Sequence, residues 1–270
     1  MTKVFEVVPA TAPVVPILLS VPHCGTFFPE DVKDGFKPEL IAKPDDTDWF
    51  VHQLYDFAPA LGITMVYANV SRWVIDLNRD PQSKPLYNDG RVITALCPTT
   101  DFLGQPIYRD ERTTVGDSEV QRRLDLYYHP YYRELQQQLD SLFARFGKVL
   151  LWDCHSIRQH VPSIREEKFP DLILGDADGA SASEGLISKT LGVLQRSNYT
   201  LSHNHPFKGG YITRSFGKPL QNHHALQLEM TKVNYMDDAE TGYDEKRAGN
   251  IRNVLKEVFR ELIQCLHENE

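Results

Sequence analysis

The stretch Lys148-Val-Leu-Leu-Trp-Asp-Cys-His-Ser156 limits the possible folds more than any other part of the chain. Val149, Leu150, Leu151 and Trp152 form an unbroken apolar run directly after Gly147-Lys148, and a helix-like segment precedes it. A short run without alternation reads as a strand buried on both faces, the kind found inside a parallel sheet. The run then gives way to Asp153, Cys154, His155 and Ser156. Ligands of open α/β sheets sit at the carboxyl ends of the strands, so this strand is predicted to deliver His155 to a site. The plainer alternative is a buried histidine satisfied by a backbone partner.

Other strand ends favour the site. Ile17–Val21 reads as a strand ending in Pro22-His-Cys-Gly25, where Pro22 stiffens the approach and Gly25 permits a tight turn, placing His23 at a second strand end. Ile63–Ala68 is the next strand. Arg72-Trp-Val-Ile-Asp-Leu-Asn-Arg79 is a further extended run whose apolar residues lead into Asn78 and Arg79. The fork of an arginine grips carboxylates in a bidentate way, which makes this pair an anion clamp, although Arg79 also fits a plain surface charge. His223–Thr231 is another strand, with Glu229 set among apolar residues. A glutamate there is costly unless paired or metal-linked; the alternative is an edge strand with Glu229 facing water.

Lys43-Pro-Asp-Asp-Thr-Asp48 gathers acids ahead of a helical pattern, Phe50, Leu54, Phe57 and Leu61, stopped by Gly62. One of these aspartates is expected to cap the helix. Asp46 or Asp48 then remains as a carboxylate beside two histidines, the usual third ligand of zinc.

The rest reads as scaffold. An edge strand is expected near Val4–Val8, and loop or short helix over Asp31–Pro44. Residues 80–115 are loop-rich, and long loops often cover active sites. Ser118–Phe146 is helical with a possible break at Pro130, and Leu124, Tyr128, Tyr131, Leu135, Leu139 and Leu142 form its core-facing stripe. Arg158–Phe169 is polar loop. Leu172–Gly175 is a short strand running into Asp176-Ala-Asp-Gly179, a turn that lacks the closing Glu of a calcium loop. Ser183–Ser197 is a helix and Thr200–Ser202 a strand. His203 and His205 fit either a metal tract or a surface turn. Gly209 and Gly210 let backbone approach a ligand, and Arg214 is a second anion candidate. Asp244–Leu266 is an amphipathic helix. No repeat or linker interrupts the chain, so residues 1–270 are predicted to form one α/β domain, with a mixed, largely parallel central sheet flanked by helices on both faces.

A net charge of −8 offers no basic surplus for phosphates, which argues against nucleic-acid binding. The Val14–Val21 run is too short to span a bilayer and contains Pro16, and no signal peptide is visible, so a cytoplasmic protein without membrane contact is expected. Cys24, Cys97, Cys154 and Cys265 lack CxxC spacing and read as free thiols of a reducing compartment. Cys24 and Cys154 adjoin candidate histidines, but neighbours on an extended chain point oppositely, which disfavours them as ligands or as nucleophiles served by those histidines.

His23, His155 and an Asp from the 45–48 cluster would leave a zinc position open for water, the pattern of catalytic zinc. A nearby Glu can then move the water's proton to a leaving amine. The reading is metal-assisted hydrolysis of an amide on a small acidic molecule, with Zn²⁺ or another divalent transition metal as cofactor.

Ser20-Val-Pro-His-Cys-Gly25, Asp46-Thr-Asp-Trp49, Ser71–Arg79, Leu96-Cys-Pro-Thr-Thr100, Leu151–Arg158, Phe207–Arg214 and Gln227-Leu-Glu229 resemble, in family order from about residue 17 to 240, the N-formylglutamate amidohydrolase (deformylase) family. The resemblance implies hydrolysis of N-formyl-L-glutamate to formate and L-glutamate, late in histidine degradation. It extends more distantly to the zinc carboxypeptidases, implying a fold of that kind, with His23 and His155 as metal ligands, Asn78-Arg79 as the carboxylate grip and Glu229 as base. Arg214, Arg72 and Arg158 join the candidate substrate contacts. One departure is Thr26, which stands where carboxypeptidases carry a carboxylate ligand. The ligand must then come from Asp46 or Asp48; the resemblance leans to Asp46, and the residues themselves do not choose. Another N-acyl amino-acid deacylase or a zinc carboxypeptidase would need a roomier pocket. A non-catalytic module binding acidic metabolites would lack the base or a ligand.

Overall fold

The computed structural model describes residues 3–82, 84 and 95–268. Part of the loop expected over residues 80–115 lies outside them. Seven strands, β1 (Phe5–Val8), β2 (Ile17–Val21), β3 (Thr64–Ala68), β4 (Val149–Ile157), β5 (Leu172–Gly175), β6 (Leu201–His203) and β7 (His223–Thr231), form one sheet in the order β1-β3-β2-β4-β7-β5-β6. The β3-β2-β4-β7 centre is parallel, while β1 and β5 run antiparallel to β3 and β7. The sheet is thus mixed and largely parallel, as expected.

Side chains alternate between the faces of a strand, and this alternation builds two cores. On one face Ile17, Leu19, Val21, Leu150, Trp152, Leu226, Leu228 and Met230 meet Ala248, Ile251, Leu255, Phe259 and Leu262 of helix Glu245–His267, together with helix Glu184–Gln195. Asp244 caps the former by accepting from the Arg247 N–H at 2.9 Å. On the other face Leu18, Val149, Leu151 and Ala225 meet Tyr131, Leu135, Leu139 and Leu142 of helix His129–Phe146.

The helical stretch ahead of β4 does not break at Pro130. It runs as Asp117–Arg123, a π-helical segment Leu124–Tyr128 and His129–Phe146. Proline lacks an N–H and its ring crowds the carbonyl four residues back; the wider π turn absorbs both. The predicted helix over residues 50–61 is shorter: Val51–Leu54, then a 3₁₀ turn Ala58–Leu61 containing Pro59, closed by Gly62 at φ +84°. Among the described residues no helix is long and apolar enough to cross a membrane.

Candidate active site

The site grows out of the pairing of β4 with β7. Asp153 stands opposite Gln227 and His155 opposite Glu229. All four lie on the face where Val149, Leu151 and Ala225 pack toward helix His129–Phe146, so the apolar half of that face passes into a polar half. The apolar run ends at Trp152, but the strand does not: β4 continues through Ile157. The backbone ladder with β7 runs on to Thr231 regardless of side-chain polarity, and His155 sits inside the strand.

His23 follows β2. A Cβ on Gly25 would lie 2.4 Å from the Val70 carbonyl oxygen, so glycine is needed there for close backbone approach. The Asp48 N–H donates to the His23 carbonyl at 3.0 Å, drawing the acidic loop onto the turn. Asp48 Oδ2 then lies 3.2 Å from His155 Nδ1 and 3.8 Å from His23 Nδ1. These side chains form the one group of three metal-capable residues found among the described residues, with ligand atoms within 4.8 Å of one another. Tetrahedral zinc with ligands at 2.0–2.1 Å spaces them roughly 3.3 Å apart, which this set accommodates.

The opposite ring nitrogens are held from behind. His23 Nε2 is 2.8 Å from Asp76 Oδ1, and His155 Nε2 is 3.1 Å from Asp153 Oδ2. A proton on each Nε2 leaves each Nδ1 with a lone pair turned toward Asp48, the carboxylate–histidine arrangement that orients metal ligands. Asn78 Nδ2, 2.9 Å from His155 Nε2, can donate to that nitrogen only in the other tautomer. His23 Nδ1 is buried without a hydrogen-bond partner. Such an orphan costs about 1–3 kcal/mol, and a cation at the centre of the group would relieve it. The residues present therefore fit a metal.

Charge shapes the site. Burial, with Arg72 adding to it, lowers His23 to about 4 against the pull of Asp76. Burial acts the same way on His155, but Asp153 and Asp48 outweigh it and raise that ring well above its ordinary value. Asp76 is buried too, yet Arg72, Arg79 and His23 keep its carboxyl well below the usual range. Burial pushes Glu229 up to about 8, opposed by His155 and reinforced by Asp48.

The three aspartates of the acidic loop have separate tasks, and none caps the helix. Phe50, at φ +63°, occupies the N-cap without a side-chain bond. Asp45 pairs with Arg158. The Asp46 carboxylate accepts from Trp73 Nε1 at 2.8 Å and from the Phe102 N–H at 3.1 Å, so it is engaged away from the histidines. Asp48, and not Asp46, is the aspartate that stands with them.

Ser71–Arg79 is not a strand but a series of turns. In a strand, residues four apart are separated by roughly 13 Å, whereas Arg72 Nη2 reaches Asp76 Oδ2 at 2.6 Å. The turns also set the Asn78 N–H against Asp76 Oδ1 at 2.9 Å. A cavity of about 220 Å³ opens over the site, lined by His23, Asp48, Arg72, Asn78, Arg79, His155, Gln227 and Glu229, and by residues 100–104. Arg158 and Arg214 do not line it. Arg158 bridges Asp45 and Glu240, and Arg214 Nε donates to the Gly209 carbonyl. Gly210 does line it, and a Cβ there would sit 2.2 Å from Asn78 Nδ2.

His203 lies apart from the histidine pair, its Nε2 2.6 Å from Asp176 Oδ2. Cys24 and Cys154 are buried, and burial pushes both thiols up, so neither suits a nucleophile. Asp76, Asp153 and Gln227 were not singled out from the sequence. Alternation from His155 and Glu229 marks Asp153 and Gln227, while Asp76 lay inside the misread strand.

The family model described as N-formylglutamate amidohydrolase matches residues 15–236. N-formylglutamate deformylases of Pseudomonas putida and Pseudomonas aeruginosa are each 41% identical over 251 residues, spanning 92% of this chain and 92% and 93% of theirs. A crystal structure of N-formylglutamate amidohydrolase from Ralstonia eutropha, 26% identical, superposes with a TM-score of 0.81 over 97% of this chain and 98% of that one. A crystal structure from Agrobacterium tumefaciens, 15% identical with a TM-score of 0.72 over 97% and 95% of the two chains, shares the fold. On the family match and the near-full-length relatives, the chain belongs to the N-formylglutamate amidohydrolase family.

Proposed function

We propose that this protein hydrolyses N-formyl-L-glutamate to formate and L-glutamate. The observation that carries the reading is the convergence on one cavity of a two-histidine, one-aspartate group, a buried glutamate in register with His155, and Arg72 and Arg79. The relatives named as deformylases support the substrate.

In this proposal His23, Asp48 and His155 hold a divalent transition metal, zinc first among the candidates. Bound there, it would make water acidic near neutral pH and polarise the formyl carbonyl. Glu229 takes the proton of the attacking water and hands it to the departing nitrogen as the formyl C–N bond breaks. Burial favours the protonated form of Glu229, the form that returns the proton to the departing nitrogen. Arg79 binds a substrate carboxylate, Asn78 assists, and Arg72 supplies positive charge beside them. Asp76 braces Arg72 and Arg79 from behind, at 2.6 and 3.7 Å. Arg158 and Arg214 serve the scaffold.

The test is formate release by purified protein from N-formylglutamate, N-formylaspartate, N-acetylglutamate and a dipeptide, with metal analysis of the same preparation. The formyl amino acids should be cleaved fastest, a chelator should stop the reaction, and His23→Ala or His155→Ala should lose metal and activity together. Metal-free protein that keeps its activity under chelation would end the metal proposal. Preference for the acetyl or peptide substrate would favour a deacylase or carboxypeptidase.

A further inference from the structure

We propose that Asp46 is a positioning residue that locks the Arg72 guanidinium toward the substrate's carboxylates by way of Phe102. The inference rests on the reading that the cavity takes an anionic N-formyl amino acid. Asp46 touches both parts of the wall. Its backbone carbonyl accepts from Arg72 Nη1 at 3.4 Å, and its carboxylate accepts from the Phe102 N–H. The Phe102 ring in turn lies against Arg72, with Cζ 4.7 Å from the ring centroid. A guanidinium stacked on an aromatic face is fixed in its plane. Asp76 holds the same guanidinium by one edge, and Ser163 Oγ donates to the Phe102 carbonyl. Arg72 and Phe102 both line the cavity. The Asp46 carboxylate is buried, and its other partner is the Trp73 indole. It therefore ties the residues 100–104 loop to the segment that carries Arg72. Without it the Phe102 amide is released, the ring can leave the guanidinium, and Arg72 regains rotational freedom that an anionic substrate must remove again.

The test compares Asp46→Ala, Asp46→Asn and Phe102→Leu. Asp46→Ala should keep its metal and raise KM for N-formylglutamate on the order of tenfold, the cost of a hydrogen bond to a charged group, with kcat much less affected. A formamide lacking carboxylates should show no such rise. Asp46→Asn should rescue, because its amide oxygen can accept from both Trp73 and Phe102. Phe102→Leu keeps the N–H but loses the ring face, and should raise KM in the same sense, which covers failure of the alanine variant to fold. Two measurements do not depend on turnover: amide exchange over residues 100–104 should quicken in Asp46→Ala and return in Asp46→Asn, and L-glutamate should bind more weakly in calorimetry. If wild type releases no formate while these two changes occur, the proposed reaction fails and the role of Asp46 stands. Loss of metal in Asp46→Ala, equal effects on both substrates, or unchanged exchange and binding would overturn it.

Discussion

The two faces of the sheet are made by the same strands and end differently. One is apolar along the central strands: Ile17, Leu19, Val21, Leu150, Trp152, Leu226, Leu228 and Met230 lie under helix Glu245–His267. The other starts apolar, with Leu18, Val149, Leu151 and Ala225, and turns polar from Ser20, Asp153 and Gln227 onward. Strand register carries both patterns, because a one-residue slip would exchange them. The predominantly apolar face therefore fixes the register that sets His155 beside Glu229. One face supplies stability and geometry, and the other spends that geometry on buried charges.

The sharpest way to test this division is Glu229→Gln. It keeps the shape and removes the base, so kcat should fall about 10²–10⁴-fold while metal content and thermal midpoint stay near wild type. Loss of metal would make Glu229 a ligand; a near-normal kcat would remove it from the chemistry. The matching change on the other face is Phe259→Ala. The Phe259 ring meets Trp152 edge-on, with centroids 5.3 Å apart, and is fully buried. Truncation should cost about 3–5 kcal/mol of stability in denaturant unfolding. Below the unfolding range KM should hold; a large rise in KM would mean that the faces are coupled.

A smaller effect belongs to Arg79→Ala. Removing an arginine from a carboxylate costs about 1.5–3 kcal/mol, so KM for N-formylglutamate should rise roughly 10- to 150-fold. A carboxylate-free formamide should be spared, and equal losses on both would assign Arg79 to the scaffold around Asp76.

The contrast between the faces also explains what could be read from the chain. The central strands, the terminal amphipathic helix and the Tyr131–Leu142 stripe follow from apolar spacing, because burial is what makes them form. His23, His155 and Glu229 were visible as polar residues where such spacing runs out. Arg72–Arg79 was misread because Trp73, Val74, Ile75 and Leu77 are buried while their backbone makes turns, and hydrophobic content does not encode that path. The roles of Asp45, Asp46 and Asp48 depend on Arg158, on Trp73 with Phe102, and on the histidines respectively, all distant partners to which a local capping preference is blind. Arg158 and Arg214 matched the chemistry sought, but local and tertiary partners hold them elsewhere.

The smallest predicted effect concerns His224, an ionisable residue among the Leu226, Leu228 and Met230 side of β7. It is buried, and its Nδ1 accepts from the Ser183 N–H at 3.3 Å, ahead of helix Glu184–Gln195. Burial lowers it to about 4, with the charges of His223 and Lys148 adding to the effect. An imidazole in the unfolded chain titrates near 6.5. Above that pH both states are neutral at this site and it contributes no pH dependence. Between about 6.5 and 4 the unfolded chain binds a proton that the folded protein refuses, so stability should fall as the pH is lowered through that window. Below about 4 both states are protonated and the contribution levels off. His224→Asn keeps an acceptor near the Nδ1 position and cannot titrate. Its unfolding free energy, measured from pH 7 to pH 4, should therefore decline less steeply than that of wild type. Equal slopes would mean that protonated His224 is accommodated, and that the apolar face tolerates charge at its amino-terminal edge.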